Sequence, residues 1–138
     1  MRTAKAYLNR YQRLKGYIRA RQTELAELRD TLIPSSVDYT GITVQTSPHD
    51  KMAEIMAEID SLEQRITDAT IDALKVLRDI EDVVQQMKDP RQQTLVINYY
   101  LNGLTWEQTA EAMGYDLRWI YRLHGQALDS VEEILTRH

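Results

Sequence analysis

Apolar residues recur every three or four positions through the first 32 residues and again from about residue 49 to residue 88. Such spacing is typical of helices that pair along a coiled-coil seam, so two long helices are predicted. The first seam consists of Tyr7, Tyr11, Leu14, Ile18, Leu25, Leu28 and Leu32. The second consists of Met52, Ile55, Ile59, Leu62, Ile66, Ala69, Ala73, Leu77, Ile80, Val84 and Met87.

A loop is predicted near residues 33–48, where two of the three prolines and a glycine interrupt the helical spacing. Two helices with matching seams and a loop between them favour an antiparallel hairpin. Placing Leu32 opposite Met52 sets a register in which Leu25 meets Ile59.

The chain carries a net charge of only −4, but its charges are unevenly distributed. Residues 1–30 contain eight Lys and Arg against three acids, whereas residues 31–85 contain four against eleven. The basic helix 2–21 is interleaved with tyrosines, a composition that can bind phosphates. The alternative, which we favour, is that its charges are used to neutralise the acidic helix 50–87. The basic residues are Arg2, Lys5, Arg10, Arg13, Lys15, Arg19 and Arg21.

A shorter helical unit is predicted after Asp89-Pro90, since Asp at the N-cap with Pro in the first turn is typical of a helix start. This helix is expected to run to about Leu101-Asn102 and to stop at Gly103. Its predicted apolar anchors are Leu95, Ile97 and Leu101.

Two further helices are predicted from local signals. Thr105 with Gln108 three residues later indicates a capping box, and this helix should end at Met113-Gly114. Asp116 is the predicted N-cap of the last helix, which should continue to about Leu135. The fold is therefore predicted to be all-α: a long, coiled-coil-like antiparallel hairpin over residues 1–88, then a three-helix helix-turn-helix unit over residues 89–138.

The last two helices have the proportions of a helix-turn-helix. Ala110 would allow close helix crossing, and Gly114 stands at the turn, where a positive φ is commonly needed. The final helix is expected to dock through Leu117, Ile120 and Ala127.

The opposite face of that helix carries the candidate DNA-binding residues. Arg and Gln side chains can hydrogen-bond base edges in the major groove, so double-stranded DNA is the predicted partner. Trp119 is expected to stack on or wedge into the duplex, and Tyr121 lies on the flank of this face. The remaining Tyr and Trp of the unit are expected to lie mostly in the core. The predicted DNA-binding residues are Thr105, Arg118, Trp119, Tyr121, Arg122 and Gln126.

The stretch 99–115, YYLNGLTWEQTAEAMGY, resembles region 4 of bacterial sigma factors, and residues 120–128, IYRLHGQAL, are similar to that region's ending. Over nearly its whole length the chain resembles the ArpU/RinA-like regulators of Gram-positive prophages. This resemblance implies a transcriptional regulator of phage late genes in the bacterial cytoplasm, with RNA polymerase as a further partner. Two features depart from the pattern: Thr109 replaces a usually apolar residue, and the Leu123-His124 step falls one place early.

Other chemistry is not indicated. There is no cysteine, no histidine has a second ligand at metal spacing, and the carboxylates lack the neighbours that catalysis requires. We therefore expect no enzymatic activity, metal or cofactor. No apolar run approaches the ~18 residues that span a bilayer, so a soluble, cytoplasmic protein without a membrane partner is expected.

The helix-turn-helix unit carries little positive charge. Residues 103–128 contain two arginines against three acids, so DNA binding by this unit alone should be weak. A homodimer through the hairpin, the basic first helix or RNA polymerase would have to assist. The long coiled-coil seam leaves an alternative function open: a phage DNA-packaging protein of the small-terminase type, or another coiled-coil assembly protein. A large ring in solution would favour packaging, whereas a monomer or dimer would favour regulation.

Overall fold

A computed structural model describes residues 3–32 and 48–137, and for residue 48 only the backbone. The described part is all-α and contains no β-strand, as predicted. None of its helices combines the length and the apolar character that crossing a membrane requires. Apart from residue 48, which begins a helix, the predicted loop lies outside the described residues. The elements are α1 (Thr3–Leu32), α2 (Pro48–Gln86), α3 (Pro90–Val96), a π-helical turn (Ile97–Leu101), α4 (Trp106–Met113) and α5 (Leu117–Thr136).

The chain divides into two compact units, and both long helices contribute to each of them. The first unit combines Met1–Lys15 with Asp72–His138, and the second is Gly16–Ile71. The boundary predicted between residues 88 and 89 thus falls inside the first unit.

The second unit is a helical hairpin with the predicted register. Leu25 packs in one cluster with Ile59 and Leu62, as the pairing of the two seams required. The prediction was wrong at the end of the seam, because Met52 is exposed.

The first unit is built around a core to which α1, α2, the π-helical turn and α5 all contribute. The predicted seam omitted Ala4 and Leu8, yet both are fully buried, whereas Tyr7 and Tyr11 are half-buried. This end of α1 therefore packs into a core that includes α5 as well as α2. The other buried residues of this core are Ile80, Val83, Val84, Met87, Val96, Tyr100, Leu101, Ala127, Leu128, Val131 and Ile134.

Glu132 of α5 caps the first turn of α1. Its carboxylate accepts hydrogen bonds from the backbone N–H of Ala4, at 2.9 Å, and from the Thr3 hydroxyl. The first N–H groups of a helix lack partners within the helix, so a carboxylate at this position satisfies them and also interacts favourably with the helix dipole.

The basic part of α1 approaches the acidic helix α2 through Arg10. Arg10 lies 3.8 Å from the carboxylate of Asp79, but its side chain is more than one-third exposed. Arg21 pairs instead with Glu24 of its own helix, at 2.8 Å. Exposed pairs of this kind contribute only about 0.2–1 kcal/mol.

The predicted helix over residues 90–102 is in fact two elements. Asp89 caps α3 by accepting a hydrogen bond from the N–H of Arg91 at 2.9 Å, as predicted. After Val96 the backbone widens into the π-helical turn, closed by the N–H of Asn102 donating to the carbonyl of Ile97 at 2.8 Å. The wider turn changes the helical spacing, and Ile97 is exposed rather than an apolar anchor.

Candidate nucleic-acid interface

Helices α4 and α5 begin and end at the residues that the local signals indicated. Thr105 and Gln108 form the capping box, each side chain accepting from the other's backbone N–H at 3.1 and 2.9 Å. Gly114 ends α4 with a φ of +73°, a conformation that side chains other than glycine disfavour. Asp116 accepts from the N–H of Trp119 at 2.8 Å and so caps α5. The two helices are separated by three residues, which is the length of a helix-turn-helix turn.

A small apolar cluster holds α4 and α5 against α3. Its buried members are Leu95, Ala110, Ile120 and Leu123. Ala110 was expected to allow the helices to cross closely, and its side chain is only 5% exposed. The C-terminal half of α5 enters the larger core through Ala127 and the buried residues that follow it. Because two cores hold one helix along its length, the orientation of its outer face is fixed.

Leu117 does not dock α5 in the way that was predicted. Its side chain is 36% exposed, whereas Ile120 and Ala127 are fully buried. Leu117 is three residues before Ile120 and so lies about 60° round the helix from it. The buried face of α5 is therefore centred on Ile120 and Ala127.

The outer face of α5 carries three of the predicted DNA-binding residues in one exposed row. Arg118, Arg122 and Gln126 are each separated by four positions, and all three side chains are exposed. Within the described part of the chain, neither arginine forms an ion pair. Gly125 lies beside this row, and a Cβ built there would meet nothing within 4 Å. Packing within the described chain thus does not require a glycine at this position, although it costs the helix about 1 kcal/mol relative to alanine.

The aromatic residues beside the row are placed differently from the prediction. Trp119 is half-buried and contacts Tyr115 edge-to-face at 6.2 Å between ring centroids, while the Arg122 guanidinium lies 5.8 Å from the Trp119 ring. Tyr121, which was also among the predicted DNA-binding residues, is 51% exposed and contacts Trp106. The aromatic ring most open to a partner is thus Tyr121 rather than Trp119.

Thr105, the remaining predicted residue, is exposed at the start of α4. Its hydroxyl oxygen is engaged in the capping box, so its first role is to fix the end of that helix. The hydroxyl hydrogen is not used by this contact and can be donated to a ligand.

Sequence reasoning missed an aromatic cluster that supports the turn region from inside. The hydroxyl of Tyr100 shares a hydrogen bond of 2.6 Å with His124 Nε2, and burial raises the pKa of this tyrosine. Tyr99 stacks on Trp106 at 3.6 Å, and Trp106 contacts His124 edge-to-face at 4.5 Å. His124 therefore packs within this cluster. Nothing local in the sequence joins Tyr100 to His124, because the contact spans 24 positions.

Thr109, the unusual polar residue in α4, is completely buried, and no described residue hydrogen-bonds its hydroxyl. We expect Thr109→Val to raise the free energy of unfolding by about 1 kcal/mol, because it removes an unsatisfied polar group and nearly conserves shape. Urea unfolding followed by circular dichroism measures this. Thr105→Val is the matched change four residues earlier, and it should lower stability by about 1 kcal/mol through loss of the cap. Destabilisation by Thr109→Val would contradict the prediction.

No protein family matches the chain, and comparisons with curated proteins and with solved structures gave no significant similarity. Across residues 3–32 and 48–137, no group of three or more His, Asp or Glu side chains is arranged to hold a metal ion. A functional proposal must therefore rest on the chain's own residues and their placement.

Proposed function

We propose that this chain is a sequence-specific DNA-binding transcription regulator whose helix α5 enters the major groove of double-stranded DNA. One observation carries the proposal: Ile120 and Leu123 are fully buried, while Arg118, Arg122 and Gln126 are exposed on the opposite face. A recognition helix requires this division, because its inner face must dock on the protein while its outer face contacts the bases. Arg and Gln are the residue types that can form bidentate contacts with guanine and adenine.

A narrower form of the proposal rests on motif resemblances alone, which no family comparison supports. Residues 99–128 resemble region 4 of sigma factors, and the chain as a whole resembles the ArpU/RinA-like phage regulators. We therefore propose regulation of phage or prophage late genes in the bacterial cytoplasm, without an enzymatic role.

The proposal also calls for assistance in binding. Residues 103–128 have two arginines against Glu107, Glu111 and Asp116, and neutralisation of phosphates supplies much of the affinity for DNA. A homodimer through the helical hairpin would place a second recognition helix on the operator. Contact with RNA polymerase would hold the protein at a promoter in the same way. Either partner would raise the overall affinity, because the second binding event becomes intramolecular.

Removing both arginines tests the proposal. Wild-type protein is used to select bound duplexes from a random-sequence library, and the affinity for the selected sequence is then measured. Arg118→Ala with Arg122→Ala should weaken specific binding by about 30-fold or more, since each bidentate contact contributes about 1–3 kcal/mol. Helicity by circular dichroism should not change, because both side chains are exposed.

The matched control is Arg65→Ala with Arg78→Ala, which removes the same charge from two exposed arginines of α2. This control should retain sequence selectivity. Arg118→Lys separates base contact from charge, because lysine keeps the charge but loses the bidentate geometry. Full affinity in the double variant of α5, or equal losses in both double variants, would reject major-groove recognition by this helix.

A further inference from the structure

Gln12 joins α1 to the turn that leads into the helix-turn-helix. Its Nε2 donates to the backbone carbonyls of Leu101, at 3.0 Å, and Tyr100, at 3.2 Å. A Cβ built at Gly103 would lie 3.3 Å from Gln12 Oε1, so the side chain lies directly against this turn. Thr105, the N-cap of α4, follows two residues later. This flank of α1 therefore adjoins the N-terminal end of the first helix of the motif.

Two basic residues share or adjoin the flank of α1 that carries Gln12. Residues seven apart in an α-helix differ by about 20° in direction, so Lys5 projects from the same side, about 10 Å further along the axis. Arg13 is the next residue after Gln12 and lies about 100° further round, away from the buried Leu8. The two cations are thus about 80° apart round α1 and about 12 Å apart along it, and Gln12 lies between them in sequence.

These two cations differ from other basic residues of α1 in being unpaired. Both side chains are exposed, and neither forms an ion pair with any residue from 3–32 or 48–137. Arg10, by contrast, approaches Asp79, and Arg21 binds Glu24. No ion pair among the described residues of α2 therefore engages Lys5 or Arg13.

We propose that Lys5 and Arg13 are phosphate-binding residues that extend the DNA-binding surface from α5 onto α1. This inference rests on the proposed function. In a helix-turn-helix complex the first helix crosses the sugar-phosphate backbone while the second enters the groove. The backbone that passes the N-terminal end of α4 would reach the flank of α1 that Gln12 holds there. The two cations would supply phosphate neutralisation that residues 103–128 lack.

The salt dependence of binding tests this inference. Each phosphate contact adds about 0.9 to the slope of log affinity against log salt concentration, so Lys5→Gln with Arg13→Gln should lower that slope by about 1.8. The loss of affinity between 50 and 200 mM salt should become about tenfold smaller than in wild type. At low salt the variant should lose affinity for every duplex by about the same factor, whatever the sequence of the duplex. The sequence selected from the library should not change, because phosphate contacts do not distinguish between bases.

The matched control is Lys51→Gln with Arg65→Gln, which removes equal charge from exposed residues of α2. Its slope should equal that of wild type. If both double variants lower the slope equally, the effect is one of net charge and the inference is overturned. The proposed role of α5 would not be affected by that result. If the α1 variant keeps the wild-type slope, the inference is likewise overturned. A wild-type chain that binds no duplex would instead overturn the proposed function and this inference together.

Discussion

Replacing Ile120 with alanine is expected to lower the free energy of unfolding by about 2–5 kcal/mol. The side chain is fully inaccessible and packs with Leu95, Ala110 and Leu123, so its loss leaves a cavity between three helices. The loss of contacts adds to the lost transfer free energy, because a packed core relaxes only in part. Urea unfolding followed by far-ultraviolet circular dichroism measures the change.

Leu117→Ala is the matched comparison on the same helix. Because Leu117 is 36% exposed, the change should cost about 1 kcal/mol or less. The sequence analysis gave Leu117 and Ile120 the same docking role, whereas in the structure only Ile120 is buried. Comparing the stability of the two variants decides between these two arrangements. If the two variants lose equal stability, α5 is rotated relative to the arrangement described, and Arg118 would then face a different direction.

The helix ends could be predicted because the groups that form them are close in sequence. Asp89, Thr105 and Asp116 each cap a helix through a hydrogen bond to a backbone N–H two or three residues later. Gly114 ends α4 in the left-handed conformation that glycine favours. The geometry of such contacts depends on residue type and spacing alone.

The partners of each apolar face could be predicted less well. Helical spacing shows which face of α1 is apolar, but it does not show what covers that face. The capping contact from Glu132 to Ala4 spans 128 positions, and no local pattern records it. The π-helical turn is a similar case, because its last two carbonyls are satisfied by Gln12, 88 and 89 positions away.

The candidate site was predicted in part. The row of Arg118, Arg122 and Gln126 follows from helical spacing once the buried face is known. Both Trp119 and Tyr121 were predicted to contact DNA. Helical spacing does not rank their exposure, because each lies about 100° from Ile120 round the helix. The lower exposure of Trp119 depends on its contact with Tyr115 in the turn, which spacing along α5 does not show.

Leu8→Ala is expected to be the most damaging single change in α1, with a loss of about 2–5 kcal/mol in the free energy of unfolding. Leu8 is completely buried in the core that α1 shares with α2 and α5, although the predicted seam omitted it. Leu14→Ala, at a half-buried seam position, should cost about 1 kcal/mol. The contrast tests whether α5 or the seam with α2 governs the packing of this part of α1.

The same variant has a consequence for DNA binding under the proposed function. If Leu8 holds α1 in place, Leu8→Ala should also release Gln12 from the turn before α4, because the two residues are one helical turn apart. At temperatures where the variant remains folded, it should then show the reduced salt slope expected for Lys5→Gln with Arg13→Gln. A greater loss of stability in Leu14→Ala than in Leu8→Ala would contradict this account, and the predicted seam would then describe α1 better than its contact with α5.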